Sequence, residues 1–369
     1  MPLSSESAEP LSWSELASLA TPEPNRIEGP TSAQATLRLF GQPESNVMVT
    51  LYRDHHAWCP YCQKIWLWLE FKRIPYRIRK VTMRCYGPKE LWFLEKVPSG
   101  MLPALELNGR LITESDDILL ALEQQFGPLG MAMTEPEALE LRRLERLLFK
   151  AWCIWLCSPR LSPRQQVLAR DQFQDIARRF ERELNQDGGP WLRGQEPQTV
   201  DLTFVPYVER MNASLAYYKG YRLRAEHPAI DRWFRALEQL ETYRGTQSDF
   251  HTHAHDLPPQ MGGCWSDDGA EAKRLAERID RGDGLGEDET CWDAYHQADQ
   301  AVIALSRVLR HQQRLRDVNP MGAAAFDQPL RCALTRLVRN TSCPPPTGSA
   351  AGLRYLRAVS YTHLTLPTS

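Results

Sequence analysis

Two cysteines three positions apart, Cys59 and Cys62 in Trp58-Cys59-Pro60-Tyr61-Cys62, follow the apolar run Val47-Met48-Val49-Thr50-Leu51-Tyr52 and precede Ile65-Trp66-Leu67-Trp68-Leu69. That is a Cys-x-x-Cys at a strand-to-helix junction, where backbone N–H groups and the helix dipole favour a thiolate. A free thiol titrates near ~8.5, and the first cysteine of such motifs falls to roughly 3.5–7.5. A depression of about two units corresponds to roughly 2.7 kcal/mol, enough to leave the sulfur mostly ionised at neutral pH. Cys-x-x-Cys can also be half of a zinc site, but a second pair should then follow. None does: Cys85, Cys153, Cys157, Cys264, Cys291, Cys332 and Cys343 are scattered. The expectation is thiol redox or thiolate chemistry, with no metal ligands.

Other chemistry-bearing residues have plainer readings beside them. Trp152, Trp155, Tyr217 and Tyr218 either line a substrate pocket or pack in a core. Cys153 and Cys157 are one helical turn apart and read as small hydrophobes. His251-Thr252-His253-Ala254-His255 would gather metal ligands on a strand, but its polar, proline-flanked setting reads as a surface loop. His55-His56 lies near Cys59 and reads as solvated or packed, and Arg142, Arg143 and Arg146 as an exposed helix face.

The elements that must position the cysteines follow from periodicity and turn signals. Strands are expected at Met48–Tyr52, Arg77–Thr82, Leu102–Leu107 and Arg110–Thr113, the last two joined by Asn108-Gly109, a type I′ hairpin signal. Helices are expected at Pro60–Lys72, Lys89–Glu95 and Ser115–Gln125, the last capped by Ser115 and ended by Gly127-Pro128. The order β-α-β-α-β-β-α with Cys-x-x-Cys after the first strand matches a thioredoxin fold. In that topology Pro103, before the third strand, is cis and faces the active sulfur. Beyond Phe126 the pattern turns helical, with Leu141, Leu144, Leu148, Trp152 and Trp155 at spacings of three and four over Glu135–Cys157. Further helices are expected at Arg164–Asn185, Leu202–Tyr217, Ile230–Leu240, Glu271–Ile279, Trp292–Gln313 and Gln328–Val338.

Domains are therefore expected as an irregular arm (1–45), a thioredoxin-like α/β domain (46–127), an all-helical domain (128–260) and a helical extension of unknown role (261–357). Residues 358–369 read as a non-native tail and are set aside from fold reasoning. With 369 residues, the chain can hold two or three cores. A net charge of -2 gives no reason to expect nucleic acid or an acidic membrane as partner. No apolar stretch approaches the ~20 residues that span a bilayer. The opening residues lack a secretory pattern, and nine cysteines do not form a disulfide framework. A reducing, cytoplasmic location is the expectation.

A thioredoxin-like half followed by an all-helical half resembles the glutathione transferase family, over about residues 46–250. By that resemblance Cys59 stands at the catalytic position of cysteine-type members, with Cys62 as resolving thiol. Leu102 and Pro103 match the pair whose backbone meets the cysteinyl part of glutathione, Glu114 and Ser115 the pair that holds its γ-glutamyl end, and Lys89 a lysine for its glycyl carboxylate. Cys-Pro-Tyr-Cys, the stretch Asp54-His55-His56-Ala57-Trp58 and the C-terminal extension are similar to the iota class of photosynthetic organisms. One departure is Gln198 where a Ser usually caps the helix that carries Asp201.

The resemblance implies glutathione as cosubstrate and a cysteine that forms a mixed disulfide with it, hence reduction of mixed disulfides or small oxidised substrates, as in thiol transferases and dehydroascorbate reductases. The alternatives are conjugation of glutathione to electrophiles, or non-catalytic binding of an apolar ligand or an iron–sulfur cluster. A flavin is not suggested by any motif, and a homodimer stays open. The substrate could be a small molecule or a protein disulfide.

Overall fold

The fold is taken from a computed structural model, which describes residues 9–20, 25–55, 57–84, 86–281, 284–285, 297–353 and 355–356. His56, Cys85, Cys291 and the tail 358–369 lie outside the described residues. The described residues fall into two compact units, one within 25–291 and one made of 1–24 with 292–369.

The smaller unit contains α1 (Trp13–Leu19). Ser12 caps it: its hydroxyl accepts from Glu15 N at 3.2 Å, and the Glu15 carboxylate accepts from Ser12 N at 2.7 Å.

The larger unit begins with β1 (Leu37–Arg38), β2 (Val49–Asp54), α2 (Pro60–Phe71), β3 (Tyr76–Val81), α3 (Leu91–Lys96), β4 (Ala104–Leu107), β5 (Arg110–Thr113) and α4 (Ser115–Phe126). The sheet order is β1-β3-β2-β4-β5. Central β2 runs parallel to β3, with Leu51 opposite Ile78, and antiparallel to β4, with Leu51 opposite Leu105. Asn108 and Gly109 have φ of 52° and 80°, as a type I′ turn requires.

Two differences from expectation concern this sheet. Residues 37 and 38, read as part of an arm, supply edge strand β1, antiparallel to β3. Its buried member is Arg38, whose Nε and Nη2 donate to Glu70 at 2.9 and 3.1 Å. A charged residue in a two-residue strand has no apolar alternation to betray it. Likewise β2 extends beyond Tyr52 to take in Arg53 and Asp54, both buried.

Among the described residues of this unit eight helices follow: α5 (Pro136–Cys157), α6 (Pro163–Asn185), α7 (Thr199–Lys219), α8 (Leu223–Glu226), α9 (Pro228–Gln239), α10 (Glu241–Thr246), α11 (Phe250–Met261) and α12 (Ala270–Arg281). Helix α7 is buried on almost every face, packed between α2, α5, α11 and α12. A helix wrapped on all sides shows no amphipathic stripe. Trp68 of α2 donates its indole N–H to Thr199 Oγ1 of α7 at 3.1 Å. Thr199 thus serves the contact with α2, and Gln198 takes the cap position of α7, its N–H donating to Asp201 Oδ2 at 3.0 Å while its side-chain amide donates to Arg193 O at 2.9 Å. Gly220 ends α7 at φ 63°, and a Cβ there would lie 2.7 Å from the backbone nitrogen of Ala272, so glycine lets α12 approach.

The His251–His255 segment, expected as a surface loop, lies within helix α11. Asp249 caps it, accepting from Thr252 N at 2.7 Å, and the prolines that suggested a loop, Pro258 and Pro259, fall near its C-terminal end.

In the smaller unit, α1 packs on α13 (Gln297–Asp317) and α14 (Ala323–Arg339). Leu11 and Leu16 join Leu305, Phe326, Leu330 and Leu334 in one core. Leu11 N donates to Thr335 Oγ1 at 2.9 Å, and the Trp13 indole N–H to Asp327 Oδ1 at 2.9 Å.

Candidate functional site

Cys59 occupies the N-cap of α2, with Pro60 as first helical residue. Its Sγ accepts from Cys62 N at 3.4 Å and lies 3.9 Å from the carbonyl oxygen of Leu102. The Leu102–Pro103 peptide is cis, and the pair leads directly into β4. The end of one strand, the start of one helix and the approach to another strand therefore meet at this sulfur. Cys59 retains slight exposure (6%), whereas Cys62 is enclosed. Burial pushes the Cys62 thiol well up, and its hydrogen bond and charge interaction with Cys59 add to that.

Lys89 precedes α3, whose cap position is Glu90, so it is not itself helical as expected. Its Nζ donates to Thr82 O at 2.8 Å. Burial lowers its pKa, while Cys62, Glu90, Cys59 and Asp54 pull the other way, so this ammonium feels both sulfurs. Glu114, not Ser115, takes the cap position of α4, and Ser115 is the first helical residue. Glu114 sits at φ 64°, a conformation a non-glycine residue keeps only where its surroundings impose it. Glu114 is exposed and Ser115 buried. Asp116, next in line, bonds to Lys64 Nζ and to Arg142 Nη2, each at 2.5 Å.

The remaining candidates lie elsewhere. Trp152 and Trp155 are buried in the helical core: Trp152 donates to Ser214 Oγ at 3.0 Å, and Trp155 packs on Phe173 and Tyr221. Tyr217 is half-buried against α11 and α12. A cavity of about 670 Å³ is bordered by Asp116, Leu120, Leu139, Arg142, Arg146 and Lys150 on α4 and α5. None of Trp152, Trp155, Tyr217 and Cys59 lines it.

Beneath the cysteines lies a buried polar network that periodicity did not reveal. The carboxylate of Asp54, at the end of β2, accepts from Trp58 N at 2.7 Å and so folds the loop that leads to Cys59. Arg210, from α7, donates to the Trp58 carbonyl, to Gln63 Oε1 (2.9 Å) and to Pro206 O (2.6 Å), with its guanidinium 4.8 Å from the Trp58 ring centroid. Gln63 returns a bond to Glu209 Oε2 at 2.9 Å, and Glu209 Oε1 meets His253 Nε2 of α11 at 2.7 Å. Each of Asp54, Gln63, Glu209, Arg210 and His253 is at most 4% exposed. Burial lowers the Arg210 pKa against the pull of Glu209, Cys59 and Asp54. Burial would raise Glu209, but His253 and Arg210 hold it below the usual range. The available signal was Glu209-Arg210 in the middle of an otherwise apolar helix. Asp54, Cys59 and Cys62 also bring one donor atom each within 4.8 Å of the others, a set able to meet a soft metal ion.

Residues 58–125 match the family described as glutathione S-transferase, N-terminal domain. Over 190 residues the chain is 25% identical to glutathione S-transferase DHAR2 of Arabidopsis thaliana, an alignment covering 52% of this chain and 84% of that protein. Residues 58–125 thus carry a glutathione S-transferase N-terminal domain. The chain is also 27% identical over 198 residues to glutathione S-transferase L3 of the same plant, covering 52% of this chain and 79% of that protein. In fold it is similar to the Tau class glutathione S-transferase of mango, Mangifera indica, with a TM-score of 0.50 at 16% identity, covering 58% of this chain and 98% of that one. Among its described residues no helix is long and apolar enough to cross a membrane.

Proposed function

We propose that this protein is a glutathione-dependent thiol transferase or reductase in which Cys59 carries the covalent step and Cys62 is the resolving thiol. The observation that carries the reading is Cys59 at the N-cap of α2, 3.9 Å from the carbonyl of Leu102. A helix N-terminus stabilises a sulfur anion. Backbone groups of Leu102, beside Pro103, would pair with the tripeptide in strand-addition manner. The start of α4 would receive the γ-glutamyl carboxylate on Ser115, with Glu114 for the ammonium and Lys89 for the glycyl carboxylate.

The chemistry is thiol–disulfide exchange. The Cys59 thiolate attacks the glutathionyl sulfur of a mixed disulfide, forming a Cys59–glutathione disulfide and expelling the substrate thiolate. A second glutathione thiolate then attacks the glutathionyl sulfur, releasing glutathione disulfide and restoring Cys59. Attack by the Cys62 sulfur on the Cys59 sulfur of the mixed disulfide is the alternative exit. It expels glutathione and leaves a Cys59–Cys62 disulfide that two further glutathione molecules reduce. Burial keeps Cys62 protonated, which slows that route. Conjugation to electrophiles is the weaker reading, because it needs a neutral hydroxyl beside glutathione's own thiolate, where this chain has a cysteine.

The test is turnover of a glutathione mixed disulfide of a small thiol by wild type, Cys59→Ser and Cys62→Ser. Cys59→Ser should abolish turnover, and Cys62→Ser should retain it as a monothiol enzyme. Full activity in Cys59→Ser, or wild-type conjugation faster than disulfide reduction, would overturn the proposal.

A further inference from the structure

Helix α11 sorts its histidines by face. His253 points inward to Glu209, whereas His251 and His255, four residues apart, stand one above the other with ring centroids 4.2 Å apart. Asp280 of α12 faces them. Its Oδ1 lies 2.7 Å from His255 Nε2, and its Oδ2 lies 3.3 Å from the hydroxyl of Tyr217 on α7. One donor atom from each of His251, His255 and Asp280 lies within 4.8 Å of the other two.

We propose that His251, His255 and Asp280 bind a divalent transition-metal ion of the zinc type where α11 meets α12. Two imidazoles and one carboxylate suit zinc and its neighbours rather than magnesium or calcium, which take oxygen ligands. With Zn–N and Zn–O bonds near 2.0–2.2 Å, donors around a tetrahedral ion stand about 3.3 Å apart. The side chains need close by little more than an ångström. His255 and Asp280 are 41% and 46% exposed, so their rotamers are free to make that adjustment and an ion can enter from solvent.

The surroundings supply what orients such ligands. Tyr217 donates to the outer carboxylate oxygen, and its ring meets the His255 ring at 73° with centroids 5.2 Å apart, fixing the imidazole plane. Three protein donors leave a fourth position for water. The ion would tie α12 to α11, which carries His253 of the network beneath Cys59.

The experiment is a calorimetric titration of chelator-treated, tag-free full-length chain with Zn²⁺. It uses a Cys59→Ser/Cys62→Ser background, which removes the competing thiol set beside Asp54. One zinc site is expected there, and adding His251→Ala/His255→Ala should weaken it by roughly tenfold or more. His255 is exposed and His251 half-buried, and neither belongs to the apolar core, so circular dichroism of that variant should match its parent. Should the variant fail to fold, zinc protection of His251 and His255 from diethylpyrocarbonate in the parent replaces it. Loading wild type with Co²⁺ gives a second readout: the proposal expects nitrogen and oxygen ligation at this site, without its own thiolate charge-transfer band. Equal zinc affinity with and without the two histidines, no binding at all, histidines unprotected by zinc, or a Co²⁺ spectrum showing thiolate ligation alone would overturn it.

Discussion

Arg210→Met tests whether the helices that follow the sheet shape the cysteine site. The guanidinium is 1% exposed and bonds to the Trp58 carbonyl, Gln63 Oε1 and Pro206 O, and methionine offers none of these bonds. Removing one partner from a buried charged network costs about 3–5 kcal/mol, because the groups left behind cannot reach water. Loss of the contact with the Trp58 ring adds about 1 kcal/mol. The Trp58 carbonyl belongs to the peptide that enters Cys59, so the loop should shift as well as soften. A unit charge about 10 Å away at an effective dielectric near 20 is worth about 1.7 kcal/mol, or roughly 20-fold in the thiol–thiolate equilibrium. Urea unfolding should show the stability loss, and iodoacetamide alkylation of Cys59 at neutral pH should slow by about that factor. Arg210→Lys keeps the charge without the fork and should recover the alkylation rate more than the stability. A stability loss below about 1 kcal/mol with unchanged alkylation would refute the reasoning, since the network would then be dispensable.

The Lys64–Asp116 pair gives opposite pH signatures. Burial works to raise Asp116, but Lys64 and Arg142 hold it to about 2, so its stabilisation is complete above its ordinary 3.8 and disappears as pH falls towards about 2. Asp116→Asn should flatten urea midpoints across that window. Lys64 is pushed down to about 8 by burial and by Arg142, so stability should rise as pH climbs from about 8 to its ordinary 10.5, and Lys64→Met should remove that rise. The two partners differ because Lys64 is enclosed and Asp116 is 56% exposed, so the lysine bears the desolvation. Gly220→Ala should cost about 2 kcal/mol or more in urea unfolding, from a left-handed alanine and a Cβ 2.7 Å from Ala272 N, with faster amide exchange in α12. Leu16→Ala should cost about 2–5 kcal/mol in the unfolding of the smaller unit, read by exchange in α14, because α1 seals that core.

Much of the larger unit was legible in the chain. Alternating and turn-bounded segments located β3 and the β4–β5 hairpin, Pro60 at a first helical position located α2, and three-and-four spacing located α5, which buries one face against its neighbours. The motif Cys59-Pro60-Tyr61-Cys62 carried its own placement: a proline at the first helical position leaves the cysteine before it as cap. Where local pattern misled, long-range partners were the cause. Arg38 hides strand β1 because Glu70, 32 residues on, neutralises it. Terminal prolines disguised α11, although its one inward histidine has Glu209 waiting for it.

The sequence by itself determined which residue types could do chemistry, the order of the elements that carry them, and the position of the reactive cysteine at the head of a helix. These depend on local periodicity and on the φ preference of proline. Tertiary structure alone decided that Arg210 of α7 reaches the Trp58 carbonyl, 152 positions away, and that Asp280 meets His251 and His255. It alone joined residues 11–16 to the core of α13 and α14. The reason is that partners for buried charges and for exposed amphipathic faces are chosen by packing, and packing pairs segments without regard to their separation along the chain.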